Sequence, residues 1–541
     1  MTHARSPRNT ALLLGLVVTA LLLAWAAGPA ARPAHANGLQ QSIMQDDDLL
    51  LYRGNTVMQS TLRRMKAAGV DTVRVTVLWS VVAQNVRKRP KKPADPKSYP
   101  AKNWARYDSL VAVAQSMGIN VLFNVTGPGP AWAHETSPIK QDAKSWKPKA
   151  TEYASYVTAV GTRFSGTFKI GSFTVPRVAY WSLWNEPNQG AWLTPQYFKD
   201  PTLKKLIAVS PIVYRELYLR GRKALDATGH GNDVILMAET APLGDPKGRK
   251  TDRKAMAPVE FIREVFCVAP NGRMYTGKEA KARKCDQFKT LGKIRTSGLA
   301  HHPYTRSDPP ATAPRAGGYT VGNLGKLISD LDKYSKFGNV QVGNDPKNRT
   351  LPVWLTEYGY ESKPPDPING IDPALQAQYI NEGDYIAYQN PRVFSQTQFL
   401  LRDVPPVLTA KKDTAAYWFT YQSGLFYQND QPKPAFQAYI FPIVATVASR
   451  SGTGGGVANV WGQLRFRPNG TEGDQVLLQY RPQGGTDYTT VGDPVTANAL
   501  GYFTAKVPVD ASGSFRAVWA GDYFGNPAIL TSRDALVKFD G

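Results

Sequence analysis

Residues 181–188 read WSLWNEPN, the end of an apolar and aromatic run that breaks abruptly into Asn-Glu-Pro-Asn. The run over 178–184 has the composition of a buried strand, and the proline after Glu186 lacks the backbone N–H that further sheet pairing would need. In α/β architectures the end of a core strand opens into a loop-lined cleft while the strand holds the side chain rigidly. The sequence therefore predicts that Glu186 lies at the end of a core strand, a position that suits a catalytic side chain.

A second stretch repeats this design. Residues 351–360 read LPVWLTEYGY, again an apolar strand that ends in a carboxylate, Glu357, with a turn glycine close behind. Two strand-end glutamates serve one cleft when their strands belong to the same closed parallel sheet. We therefore expect Glu186 and Glu357 to act together.

Strands and helices alternate on both sides of these stretches, and several helices are followed by a stop glycine. The predicted helices cover 58–68, 104–117, 153–164, 212–227, 324–334, 374–387 and 434–439. The predicted strands cover 72–79, 119–125, 178–184, 234–238, 297–302, 353–356 and 415–420, with a weakly defined entry strand within 39–51. Eight βα units predict an α/β fold, a (β/α)8 TIM barrel over residues 37–446.

The composition and hydrophobic pattern of the chain change after residue 446. Glycines dominate residues 451–456, and short alternating strands separated by Gly, Asp and Pro turns follow. Residues 447–541 are therefore predicted to form a Gly-rich linker and a small all-β, immunoglobulin-like sandwich. A spacer or stabilising cap is the expected role, and sugar binding by its aromatic residues is the alternative.

The N-terminus has the pattern of an export signal. Residues 1–10 carry His3, Arg5 and Arg8, residues 11–27 are almost wholly apolar, and Ala34-His35-Ala36 supplies the small residues of a cleavage site. Residues 1–36 are predicted to be a secretory signal peptide, so we expect a secreted protein without stable membrane insertion after cleavage. An uncleaved anchor is the alternative, although the apolar run is close to the lower length limit for a span.

The two cysteines, Cys267 and Cys285, fit an exported chain. They lie 18 residues apart in a basic segment. A disulfide between them would stabilise the fold by about 3 kcal/mol through loop entropy. Two free thiols are the alternative.

The chain is strongly basic, with a formal charge of +23 that becomes +20 once the three arginines of the predicted signal are removed. That charge suits an anionic cell-envelope polymer or an acidic polysaccharide. Nucleic acid is the competing partner, but the basic residues are scattered or lie in a proline-containing loop at 87–93 without helical periodicity. We therefore expect no nucleic-acid interface.

Paired carboxyl groups are what hydrolysis of a glycosidic bond requires: one protonates the leaving oxygen and the other, ionised, attacks the anomeric carbon. The segments Trp184-Asn185-Glu186-Pro187 and Thr356-Glu357-Tyr358-Gly359, in this order, resemble the paired signatures of the clan A retaining glycoside hydrolases. That group includes the cellulase-like family 5 enzymes and relatives such as family 39. The resemblance implies a glycosidase with Glu186 as acid/base and Glu357 as nucleophile, acting on a β-linked polysaccharide or oligosaccharide.

Further positions match the group's pattern. Arg74 in the second strand resembles the arginine that keeps the nucleophile ionised, and Asn185 resembles the residue that binds the sugar 2-hydroxyl. His302 and Tyr304 resemble a His-x-Tyr pair whose tyrosine touches the nucleophile, and Trp418 resembles the aromatic platform under the sugar. Arg74 could instead pair with another buried acid, and Trp418 could be core.

Other side chains near the predicted cleft have less defined roles. Trp132 and His134 follow the third strand and are expected to face the cleft, while Glu239 at the fifth strand end lines it or serves structurally. A metal site is not expected, since a third ligand at usable spacing is missing beside the His301-His302 pair and His134-Glu135 lacks a second histidine at helical spacing. No cofactor is expected either, and the protein is predicted to be a monomer.

Two other functions are compatible with this pattern. A non-catalytic glycan-binding or envelope-anchoring protein could keep the barrel as a scaffold, and the same machinery could perform transglycosylation. The loops that build sugar subsites are longer than a minimal barrel requires.

Overall fold

The computed structural model describes residues 40–245, 250–452, 454–467, 473–523 and 525–539. The predicted signal peptide at 1–36 lies outside these ranges. Within them, we find no helix that is both long enough and apolar enough to span a bilayer.

Eight parallel strands close into a barrel, as predicted. Strand β1 pairs with both β2 and β8, with Ile43 opposite Thr72 on one side and Thr397 on the other, which closes the sheet. The strands are β1 (Gln41–Gln45), β2 (Thr72–Leu78), β3 (Asn120–Thr126), β4 (Tyr180–Leu183), β5 (Val234–Thr240), β6 (Gly298–His301), β7 (Val353–Leu355) and β8 (Val393–Phe399).

A helix follows each strand and packs outside the barrel. In the first of them, Met58, Leu62 and Met65 are buried at helical spacing, so one apolar stripe faces the sheet. The helices are α1 (Asn55–Ala67), α2 (Ala101–Ser116), α3 (Ala150–Arg163), α4 (Ser210–Leu225), α5 (Pro258–Val265), α6 (Leu324–Ser335), α7 (Pro373–Tyr388) and α8 (Pro434–Ile440). Shorter helices occupy Trp79–Val82, Gly277–Ala282 and Gln287–Thr290.

The prediction of the eighth strand at 415–420 is wrong. That segment lies in the long loop between β8 and α8, where Phe419 is 79 % exposed. The true strand, Val393–Phe399, carries a Ser-Gln-Thr-Gln run that is buried, and the Ser395 and Thr397 hydroxyls donate hydrogen bonds to the Leu355 carbonyl. Because these polar side chains are hydrogen-bonded inside the barrel, a search for hydrophobic runs does not detect this strand.

The predicted disulfide is present. Cys267 and Cys285 are bonded, with their Cα atoms 5.9 Å apart. The bond ties the end of α5 to the segment that follows Gly277–Ala282.

The C-terminal region is all-β, as predicted, and consists of two antiparallel sheets. One contains β9 (Ile443–Arg450), β10 (Gly456–Gln463) and β14 (Tyr502–Val509). The other contains β11 (Gln475–Pro482), β12 (Thr489–Thr490), β13 (Val495–Thr496), β15 (Gly513–Tyr523), β16 (Asn526–Thr531) and β17 (Ala535–Val537). The Gly-rich stretch lies between β9 and β10, which pair with each other, so it joins two strands of one sheet and is not a linker between domains.

The sandwich packs closely on the barrel. The Trp461 ring lies 5.4 Å and 5.3 Å from the rings of Tyr385 and Tyr388 on α7. Arg465 forms a buried ion pair with Asp384 at 2.9 Å. Because its backbone also meets Gly69, just before β2, the sandwich covers the N-terminal end of that strand, the opposite end from Glu186 and Glu357.

Candidate active site

Glu186 and Glu357 meet at the C-terminal end of the barrel. Glu186 follows β4, Glu357 follows β7, and His302 follows the strand β6 that lies beside β7. One ligand atom from each of these three side chains lies within 4.8 Å of the others. The two glutamates therefore share one site, although their roles there remain predictions.

The turn that carries Glu186 has an unusual backbone. Trp184 and Glu186 both have positive φ, +73° and +37°, a region that non-glycine residues seldom adopt. Two hydrogen bonds hold this turn: the Trp184 amide donates to the Val125 carbonyl at 3.0 Å and the Glu186 amide to the Glu239 carbonyl at 2.9 Å. Neighbouring strands β3 and β5 thus fix the position of Glu186.

Arg74, on β2, is completely buried below the glutamates. Its guanidinium donates to Glu357 Oε1 at 2.8 Å and to Asn185 Oδ1 at 2.9 Å, and it also donates to Gln45. It additionally pairs with Glu239 at 3.3 Å. Arg74 therefore contacts the predicted nucleophile and, at the same time, a second buried acid.

His302 lies between three carboxyl groups. Its Nδ1 is 3.0 Å from Glu186 Oε1 and 3.5 Å from Glu357 Oε2, and its Nε2 is 2.7 Å from Glu239 Oε2. Tyr304, two residues on, donates its hydroxyl to Glu357 Oε2 at 3.2 Å. The structure thus brings Arg74, Asn185, His302 and Tyr304 together around the two glutamates.

Burial and charge act against each other on these groups. Burial lowers the pKa of His302, but the surrounding carboxylates outweigh it and raise that pKa to about 10. Burial raises the pKa of Glu239, yet Arg74 and His302 bring it down to about 2. For Glu357 burial prevails and raises the pKa, although His302 and Arg74 oppose it.

The charges of the site leave room for one mobile proton. Two buried cations, Arg74 and His302, face three carboxyl groups, so protonation of one carboxyl makes the cluster neutral. Glu239 is fully buried, whereas the side chains of Glu186 and Glu357 are 21 % and 13 % exposed. The two glutamates that reach the cleft are therefore the ones that can exchange a proton with a bound molecule.

The aromatic platform at Trp418 stays a prediction, although the strand on which it was placed lies elsewhere. Trp418 lies in the β8–α8 loop, and no contact between it and the glutamates is found among the described residues. Phe399, the last residue of β8, has its ring 6.4 Å from Tyr304 and 5.2 Å from Tyr421. Burial raises the pKa of Tyr421, and the charges of Glu186 and Glu357 raise it further.

Trp132 and His134 lie in the β3–α3 loop. The Trp132 ring is 6.0 Å from Trp79 and its Nε1 donates to the Val86 carbonyl at 3.1 Å. His134 is buried, accepts a hydrogen bond from the Gly129 amide, and has its pKa lowered by burial. His134 therefore orders its loop, and neither side chain contacts Glu186 or Glu357 in the described part of the chain.

Glu186, His302 and Glu357 also have the atom types of a metal-binding group. A metal would have to displace the proton of a histidine whose pKa lies at about 10, beside the fixed cation Arg74. That competition is unfavourable, so the arrangement suits proton transfer better than metal binding.

Comparison with known proteins gives one family match. Residues 34–206 match the family model described as cellulase, glycosyl hydrolase family 5. Over this segment the chain is similar to that family. The matched segment includes Arg74 and Glu186 and ends before Glu357. No curated protein matches the chain.

Several solved structures are similar to this one in shape. Bacteroides uniformis beta-glucuronidase 2 is 12 % identical with a TM-score of 0.40, over 92 % of this chain and 46 % of that chain. GH5_18 from Streptomyces cattleya is 16 % identical with a TM-score of 0.44, over 75 % and 79 %. A monomeric beta-xylosidase from Caulobacter crescentus CB15 is 12 % identical with a TM-score of 0.45, over 89 % and 96 %. This chain thus spans less than half of the length of that beta-glucuronidase.

Proposed function

We propose that this protein is a retaining O-glycosidase that cleaves a β-linked polysaccharide or oligosaccharide by double displacement. The observation that carries the proposal is the approach of Glu186 and Glu357, whose oxygens lie within 4.8 Å of each other at the C-terminal end of the barrel. Carboxyl groups about 5 to 5.5 Å apart favour retention, whereas inverting enzymes need a wider gap of about 6.5 to 9.5 Å for a water molecule.

In the first step Glu357 is the nucleophile. Its carboxylate attacks the anomeric carbon and forms an ester bond while the glycosidic C–O bond breaks. Glu186 gives its proton to the departing oxygen, so the aglycone leaves as an alcohol. Arg74 and Tyr304 both donate hydrogen bonds to Glu357, which oppose the effect of burial and stabilise the ionised nucleophile.

In the second step water replaces the aglycone. Glu186, now ionised, takes a proton from the water as its oxygen bonds to the anomeric carbon. The ester bond to Glu357 breaks, and both carboxyl groups return to their starting states. An acceptor sugar in place of water would give transglycosylation by the same route.

A non-catalytic glycan-binding protein is the competing function. Binding alone requires neither two carboxyl groups at bridging distance nor buried cations that set their protonation. The contacts of Arg74, His302 and Tyr304 with Glu357 therefore favour catalysis.

We also propose that the protein is exported through the segment 1–36 and acts as a monomer outside the cell, without a cofactor. Its positive charge would favour contact with anionic cell-envelope polymers or acidic polysaccharides. A β-linked polysaccharide or oligosaccharide is the finest substrate class that this site supports.

The test is incubation of the mature protein with aryl glycosides and with plant, fungal and bacterial wall polysaccharides. The anomer released first is read by NMR, and a Glu186→Ala/Glu357→Ala double variant serves as the control. We expect release of the β-anomer from at least one β-linked substrate. Release of the α-anomer would refute retention, and binding without any turnover across the panel would favour the glycan-binding function.

A further inference from the structure

We propose that Glu239 is a positioning residue that holds His302 as an imidazolium under the two glutamates of the cleft. The inference rests on the proposed function for its kinetic consequence, although the charge of His302 can be measured without any substrate. Glu239 is fully buried at the end of β5 and has no access to the cleft, so it acts through other residues.

The contacts around His302 fit a ring in which both nitrogens donate. Nε2 faces a Glu239 oxygen at 2.7 Å, and Nδ1 faces a Glu186 oxygen at 3.0 Å. A neutral imidazole has one N–H, whereas ionised carboxylates only accept. With Glu239 ionised, the protonated ring satisfies both contacts.

Glu239 itself is held firmly in the charged form. Arg74 lies 3.3 Å from its Oε2, and the Thr356 hydroxyl donates to the same oxygen at 2.5 Å. The backbone of Ala238 and Glu239 is not extended, since their φ angles are +83° and +48°. The pairing register between β5 and β6 shifts at this point. The carbonyl of this turn accepts the Glu186 amide, so one residue positions both Glu186 and His302.

The imidazolium is surrounded on all sides by groups that bear on its charge. Glu186 and Glu357 face it from the ends of β4 and β7, and Glu239 faces it from β5. Arg74 on β2 is the second cation of this cluster, and Tyr304 is the neutral donor beside Glu357. His302 thus has three carboxyl groups and only one other cation around it, which favours the protonated form of its ring.

Loss of the Glu239 charge leaves His302 charged where Glu357 titrates, because a pKa of about 10 that falls by about 1 to 3 pH units stays above the range of a carboxyl group. The variant therefore removes a negative neighbour of Glu357 and keeps the cation in contact with it. In Glu239→Gln we expect the pKa of Glu357 to fall, which moves the acid limb of kcat/KM to lower pH.

The experiment is a ¹⁵N NMR titration of the His302 ring in the wild type, Glu239→Gln and Thr356→Val, with His302→Asn to assign the resonance. Thr356→Val removes a hydrogen bond from Glu239 but leaves its charge. We expect the ring to stay protonated at about pH 7.5 in the wild type and in Thr356→Val. In Glu239→Gln its pKa should fall by about 1 to 3 pH units, the loss expected for one adjacent charge.

Kinetics then separate this role from a purely structural one. In Glu239→Gln the acid limb of kcat/KM should shift down by up to about 1 pH unit, and Glu239→Asp, which keeps the charge, should stay nearer to the wild type. A neutral His302 at about pH 7 in the wild type would overturn the proposal even if Glu239→Gln does not fold. Equal effects of Thr356→Val and Glu239→Gln on the titration would also overturn it. Absence of glycosidase activity with the expected titration would refute the proposed function alone.

Discussion

At the scale of single residues, Glu186 and Glu357 are chemically alike but differently placed. Glu357 receives hydrogen bonds from Arg74 and Tyr304, whereas Glu186 is held by its backbone and contacts His302. Donors to a carboxylate favour its ionised form, so Arg74 and Tyr304 oppose the effect of burial on Glu357. These contacts support the proposal that Glu357 is the nucleophile.

Removal of the nucleophile tests the first role. Glu357→Ala should lower kcat by about 10⁴-fold or more, because no covalent intermediate can form. Azide should restore part of the turnover of an activated aryl β-glycoside by occupying the space of the lost carboxylate. Azide then enters opposite the leaving group, so NMR should show an α-glycosyl azide, and a β-glycosyl azide would assign the nucleophile elsewhere.

Removal of the acid/base should depend on the leaving group. Glu186→Ala should lower kcat/KM by about 10² to 10⁴-fold for a substrate whose leaving alcohol needs a proton. It should spare the first step for a dinitrophenyl glycoside, whose phenolate leaves unprotonated, so a burst of dinitrophenol is expected by stopped-flow absorbance. Equal losses for both substrates would contradict the assignment.

At the scale of elements, β8 and its loop decide which aromatic residue meets the sugar. Phe399 ends β8 with its ring beside Tyr304 and Tyr421, while Trp418 lies further along the loop. We expect Phe399→Ala to lower kcat/KM by roughly 10 to 100-fold, the value of burying one large apolar side chain against substrate. Trp418→Ala is the matched control and should change it by less than about threefold, measured with the same aryl glycoside. The reverse order of losses would restore Trp418 as the platform.

Sequence patterns predicted most of the barrel because its strands are apolar runs with a polar break. They located Glu186 and Glu357 for the same reason, since a carboxylate directly after a buried strand is costly to desolvate and is seldom placed there without a function. They failed at β8, whose buried Ser, Gln and Thr residues are satisfied by hydrogen bonds to Leu355 that appear only once the barrel closes. The position of Glu239 was visible, but its contact with His302 joins residues that are 63 apart in the chain and depends on the register of β5 and β6.

At the scale of the whole molecule, the sandwich and the barrel form a continuous core. Trp461, Tyr502 and Val444 form a buried cluster with Tyr385 and Tyr388 of α7. Helix α7 follows β7, the strand that precedes Glu357, so the sandwich packs on the helix next in the chain after Glu357. This arrangement favours the cap over the spacer as the role of the C-terminal region.

The Trp461 contact should therefore contribute to global stability. Trp461→Ala should lower the free energy of unfolding by about 3 to 5 kcal/mol, as expected for truncation of a buried aromatic ring. Trp461→Phe should cost much less, because it keeps ring contacts and the indole N–H has no hydrogen-bond partner among the described residues. Leu536→Ala, at a position that is 53 % exposed in β17, is the control and should stay within about 0.5 kcal/mol. Urea unfolding followed by circular dichroism measures all three, and a loss below about 1 kcal/mol in Trp461→Ala would show that the sandwich folds independently of the barrel.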